Sequence, residues 1–107
     1  MTQSRKEQLQ ALLATDPDDA FLRYGLAMEY RKEQAYDQAR LLFEQLMTKR
    51  PPYVPAFFML GQMLVEMSEV EEARTALRKG IDTARAQGDT HAAGEMSELL
   101  MALGSEE

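Results

Sequence analysis

Residues 19–52 read DAFLRYGLAMEYRKEQAYDQARLLFEQLMTKRPP, and the order of large and small side chains in this stretch decides the fold. Leu22, Leu26 and Tyr30 recur at the three- and four-residue steps of a helix. After a break at Glu33-Gln34-Ala35, Ala39, Leu42, Phe43, Leu46 and Met47 do the same. Stripes of this kind give each helix one apolar face. The stretch predicts two amphipathic helices joined by a short turn. Pro51 and Pro52 stop the second, because proline disfavours helical backbone in the residue before it.

A shift of 34 residues lays this unit on the next one. Leu26 falls on Leu60, Ala27 on Gly61, Tyr30 on Leu64 and Tyr36 on Val70. Ala39 falls on Ala73, Phe43 on Leu77, Leu46 on Gly80 and Met47 on Ile81. In the other direction Leu9 falls on Phe43, Leu12 on Leu46 and Pro17 on Pro51, so the chain opens with the second half of a unit. Large residues recur where a helix pair fills its own interior. Small ones, such as Ala27 and Gly61 or Ala39 and Ala73, recur where two backbones approach. A pair of this size cannot bury its apolar face alone, so neighbouring pairs must stack.

The remaining segments obey the same period. Leu9, Leu12 and Leu13 mark a first helix, and Leu60, Leu64 and Met67 a fourth. Ala73, Ala76, Leu77 and Ile81 mark a fifth, and Ala92, Ala93, Met96, Leu99, Leu100 and Leu103 a sixth. Breaks at Asp16-Pro17-Asp18-Asp19, Ser68-Glu69 and Gln87-Gly88-Asp89 separate them. Asp18, Asp37 and Asp89 or Thr90 stand where a side-chain oxygen can accept from free N–H groups at a helix start. Gly88 suits a left-handed cap on the fifth helix. The expected fold is all-α, about six helices in antiparallel pairs. Two full units, 18–51 and 52–87, lie between a half-unit helix at 4–16 and a capping helix at 89–103, all within one domain, 1–107.

The chain resembles the tetratricopeptide repeat (TPR) family, whose motif is Trp-x2-Leu-Gly-x2-Tyr followed by Ala, an aromatic, Ala and Pro. In the first unit the motif positions hold Leu26, Ala27, Tyr30, Tyr36, Ala39, Phe43 and Pro51. In the second they hold Phe57, Leu60, Gly61, Leu64, Val70, Ala73 and Leu77. Arg23 departs from the motif at the first aromatic and Gly80 at the last alanine, and the fifth helix runs past the expected proline to Gly88. The resemblance implies a right-handed α-solenoid that acts as a protein–protein interaction module, an adaptor or scaffold without catalysis.

The resemblance also implies a site. In the family the first helix of each unit lines a concave groove, at about its second, fifth, ninth and twelfth positions. Here those are Phe21, Tyr24, Met28 and Arg31, then Pro55, Phe58, Gln62 and Val65. Periodicity supports part of this, since Phe21, Tyr24 and Met28 form a second apolar stripe beside Leu22, Leu26 and Tyr30. Such a stripe receives a peptide or helix of another protein, or is covered by the chain's own last helix, or pairs with a second copy. An apolar last helix bearing Leu99, Leu100 and Leu103 offers homo-oligomerisation as the alternative function. Tyr24, Met28 and Gln62 stand where relatives that grip acidic chaperone tails use Lys and Asn. The groove therefore reads as apolar with a basic edge at Arg31-Lys32.

Composition narrows the partners. Apolar residues make up 45% and charged residues 28%, the balance of a folded chain. The net charge of −6 and the lack of any basic run beyond a dipeptide argue against nucleic acid, whose binders neutralise phosphates. With no cysteine, disulfides and thiolate metal sites are excluded. No window approaches the ~18 apolar residues of a membrane span, and no signal sequence is evident, so a cytoplasmic address is expected. His91 with Glu95 four residues on reads as an exposed pair and not a metal site. No nucleophile elbow or Gly-rich phosphate loop is present, so neither a cofactor nor a catalytic residue is expected.

Overall fold

The computed structural model describes residues 3–104, which form six helices. These are α1 (Arg5–Thr15), α2 (Ala20–Lys32), α3 (Tyr36–Met47), α4 (Val54–Glu66), α5 (Val70–Ala86) and α6 (Thr90–Ala102). Consecutive helices pack on one another, and α6 also touches α4. The stack measures 52 × 29 × 19 Å, elongated as an array in which each unit meets only its neighbours. Helices α2, α4 and α6 lie on one side, with α1, α3 and α5 behind them. Among the described residues no helix is long and apolar enough to cross a membrane.

Two contiguous clusters make the core. Ala27, Ala39, Phe43, Leu46, Leu60 and Leu64 join α2, α3 and α4 to the start of α5. Phe57, Leu77, Ile81, Ala84, Ala93 and Met96 join α4 and α5 to α6. Where the helices cross, small residues decide how closely they approach. A Cβ on Gly61 would stand 2.7 Å from Leu77 Cδ2. One on Gly80 would stand 2.6 Å from Phe57 Cβ and closer still to the sulfur of Met96. Gly80, a departure from the repeat pattern, is thus the contact plate on which α4 and α6 meet α5.

The helix ends repeat as regularly as the core. After α2, Ala35 N–H donates to Tyr30 O (2.9 Å) and Gln34 N–H to Arg31 O (2.9 Å), with Gln34 at φ 62°. After α4, Glu69 N–H donates to Leu64 O (2.8 Å) and Ser68 N–H to Val65 O (3.0 Å), with Ser68 at φ 63°. After α5, Asp89 N–H donates to Ala84 O (2.8 Å), with Gly88 at φ 76°. This paired pattern is the Schellman closure, in which a left-handed residue turns the chain and satisfies the last carbonyls. Gln34 and Ser68 sit one repeat apart, so the same turn is built twice without glycine.

A cation also recurs at one repeat position. Lys6 on α1 reaches Glu33 at the end of α2 (3.0 Å), its ammonium 5.3 Å from the centre of the Tyr30 ring. Arg40 on α3 bridges Glu44 and Glu72, the latter on α5 (3.1 Å each). Arg74 on α5 is buried, meets Glu71, and donates to the carbonyls of Leu103 (2.9 Å) and Gly104 (3.4 Å) just past α6. Each ties its helix to a neighbour two helices on or to the end of the next.

Several expectations change. Asp19, not Asp18, caps α2, accepting from Leu22 N–H (2.9 Å). Asp37 lies in the first turn of α3, whose start has no side-chain cap, while Asp89 does cap α6. Ser4 and Glu7 form a reciprocal capping box on α1. Leu12, matched by the shift to fully buried Leu46, is 52% exposed, because α1 has a neighbour only in α2 whereas α3 lies between α2 and α4.

These geometries fix the direction of five substitutions. Gly88→Ala should cost about 1 kcal/mol from backbone strain alone, since a Cβ there meets nothing within 4 Å. Gln34→Gly and Ser68→Gly should each be neutral or gain up to about 1 kcal/mol, relief of strain outweighing glycine's entropy. Urea midpoints at constant m-value check all three, and a clear loss in both glycine variants would contradict the strain argument. Gly80→Ala should lose about 1–2 kcal/mol, overpacking against Phe57 exceeding the gain in helix propensity. Gly94→Ala in α6, where a Cβ meets nothing within 4 Å, should instead gain about 0.5–1 kcal/mol in the same measurement.

Candidate functional site

The residues marked by the repeat register fall on one side of the stack but in different surroundings. Phe21, at the start of α2, is 67% exposed. Tyr24, one turn on, is half-buried, its ring 6.1 Å from that of Phe43 and 5.4 Å from that of Tyr53. It therefore joins α2 to α3 and to the entry of α4. Met28 and Val65 likewise pack partly against the core, and Gln62 is half-buried on α4.

Two hollows open on this side. One, of about 300 Å³, lies between α2, α4 and α6 and is lined by Tyr24, Val54, Pro55, Phe58, Met59, Asp89, Ala92, Glu95 and Met96. The other, about 440 Å³, lies at the far ends of α2 and α4 and is lined by Met28, Glu29, Arg31, Lys32, Gln34, Tyr36 and Glu66. The structure thus brings Tyr24, Pro55 and Phe58 together, and separately Met28 with Arg31. Phe21, Gln62 and Val65 line neither hollow. Helix α6 stands beside α4 as a third wall and does not lie across the groove.

The basic edge expected at Arg31-Lys32 is neutralised within the fold. Arg31 Nε donates to Glu66 Oε1 (3.0 Å) and its guanidinium also meets Met59 Sδ (3.4 Å). Lys32 pairs with Glu29 (3.3 Å), which also meets Arg5 (3.3 Å). Both arginine and lysine stand on the last turn of α2, where a cation complements the helix dipole.

Sequence reasoning missed the α6 wall and Met59. The signal lay in the spacing: α4 begins 34 residues after α2, whereas α6 begins 36 after α4, so the last first-half helix is out of strict register. His91 and Glu95 form an exposed pair (3.6 Å) on α6. Among the described residues no three His, Cys, Asp or Glu side chains are grouped to hold a metal ion.

The tetratricopeptide repeat family model matches residues 30–93, from the end of α2 into α6. A TPR repeat-containing protein of Pseudomonas aeruginosa is 30% identical over 97 residues, 91% of this chain and 92% of that protein. The chain belongs to the tetratricopeptide repeat family. Solved structures agree on the TPR fold. The solution structure of a tetratricopeptide repeat domain protein from Salinibacter ruber has a TM-score of 0.77 at 30% identity, covering 85% of this chain and 92% of that one. A protein of Bordetella parapertussis, also solved in solution, has a TM-score of 0.80 at 28% identity, covering 95% and 89%. TPR domains generally serve as protein-interaction modules, so the surface between the first-half helices α2, α4 and α6 is the candidate site of this TPR domain.

Burial pushes the Tyr24 hydroxyl above its ordinary value, with Tyr53 beside it adding and Arg31 subtracting. Burial raises Tyr53 too, helped by the charge of Asp19. A raised value means the folded state holds its proton more tightly than the unfolded one. The associated stability is complete below about pH 10 and is lost as pH rises through the folded values. Tyr24→Phe and Tyr53→Phe should therefore flatten the fall in urea midpoint between about pH 9 and pH 11 relative to the parent chain. An unchanged slope in both variants would count against this coupling.

Proposed function

We propose that the TPR domain is a non-catalytic adaptor that receives a peptide or helix of another protein along the groove between α2, α4 and α6. The observation that carries this reading is the apolar hollow under Tyr24, Phe58 and Met59, with Phe21 held 67% exposed on the neighbouring turn. Large aromatic side chains in solvent cost free energy in the isolated chain, and covering them is the usual source of strong interface contacts. Arg31, Gln62 and Val65 would border the same segment farther along. A second reading, pairing of two copies through α6, draws on Met101, which is 79% exposed beside half-buried Leu100. Sedimentation at high concentration separates the two, since the first reading predicts the monomer mass.

Tyr24 packs against Phe43 and Tyr53, so its removal would perturb the fold as well as the groove. The cleaner test is Phe21→Ser with Phe58→Ser. A partner segment identified by affinity capture should bind this double variant at least about tenfold more weakly, while its helical circular dichroism is retained. Undiminished binding to a folded double variant would overturn the groove reading.

A further inference from the structure

The two hollows on the concave side differ in charge. The one at the far ends of α2 and α4 carries both signs, and its ions answer one another: Arg31 with Glu66, Lys32 with Glu29. The one between α2, α4 and α6 is bordered by Asp89 and Glu95, and no lysine or arginine is among the residues that line it. Asp89 accepts from Ala92 N–H (3.1 Å) through one oxygen, at the cap of α6. Glu95 faces His91 at 3.6 Å, an imidazole that is charged only when protonated. Phe58, Met59 and Met96 line the same hollow.

An apolar floor with an acidic rim suits one kind of side chain above others. The methylene stem of a lysine or arginine covers apolar surface while its head stays at the polar edge. A carboxylate placed there would meet charge of its own sign on a chain that already carries −6. We infer that this hollow selects a partner segment in which Lys or Arg stands next to large apolar residues, the apolar groups on Phe58 and Met59 and the cation toward Glu95 and Asp89. The inference rests on the groove reading above and adds the chemistry of what the groove takes.

The probes are two fluorescein-labelled synthetic helical peptides of equal length with the same leucines, one with lysine at every polar position and the other with glutamate. Anisotropy titrations at low and moderate salt give their affinities. The lysine peptide should bind at least about tenfold more tightly. Glu95→Gln should weaken it about threefold or more. Asp82→Asn, the same change of net charge on α5, which does not line the hollow, should leave it unaltered. Phe58→Ser should remove binding, and Pro55→Ser, at an exposed position that lines the hollow, replaces it if that variant does not fold. Equal affinity for both peptides, still lost in Phe58→Ser, would overturn the charge preference and leave the groove reading standing. Equal sensitivity to Glu95→Gln and Asp82→Asn would reduce the effect to bulk charge and overturn it likewise. Binding of neither peptide, or binding indifferent to both serine variants, would overturn the groove reading together with the inference.

Discussion

The backbone of α5 at Gly80 carries two contacts at once, Phe57 from α4 and Met96 from α6, and the arrangement of α2, α4 and α6 follows from that close approach. Any side chain at this point would push one of the two front helices away. With α4 and α6 both seated on α5, the space in front of them becomes a hollow with Phe58 and Met59 as its floor. The equivalent crossing one repeat earlier uses Leu46, and at the neighbouring crossing Gly61 lets α4 sit against Leu77. Repeat architecture sets the pattern, but the size of one residue at each crossing sets the distances. An overpacked crossing costs more than helix propensity returns.

Much of this was legible in the sequence, and the reason is physical. Core positions in a stacked array are filled by size, so the match of Leu26 with Leu60 or Ala39 with Ala73 reports a buried contact directly, and these four are all buried. Turns are less visible. Gly88 announces its left-handed backbone, whereas Gln34 and Ser68 adopt the same conformation with no compositional mark. Their closures are made by backbone hydrogen bonds, which any residue able to bear the strain permits. Leu12 shows the opposite failure, an apolar residue in register that is left exposed because the stack ends beside it.

The candidate site was legible only by register. Positions transferred from the repeat reach Tyr24, Pro55 and Phe58, which share a hollow, but also Gln62 and Val65, which do not line it. The α6 wall was hidden by the two extra residues before it. Charge was the least legible property. Arg31-Lys32 reads as a basic edge in one dimension, yet Glu66, 35 residues from Arg31, cancels it in three. Arg74, by its surroundings in sequence a solvated charge, lies buried against the end of α6.

That buried arginine makes the two ends of the stack unequal. Helix α1 is held by Leu9 and by polar contacts at the surface, among them Arg5 with Glu29 and Gln10 with Tyr30. An ion pair whose cation stands in solvent, as Arg5 does, contributes little once water competes for it. Helix α6 has Ala93 and Met96 inside the core, an aspartate capping its start and a guanidinium shielded from solvent on the carbonyls just past its end. Opening α6 would break the hydrogen bonds from a charged donor to its end and expose Ala93 and Met96, a heavier cost than releasing a surface pair. In the language of local unfolding the array has a loose end and a latched end. By this comparison α1 is the less firmly held end of the described stack, and the hollow that α6 walls lies at the other.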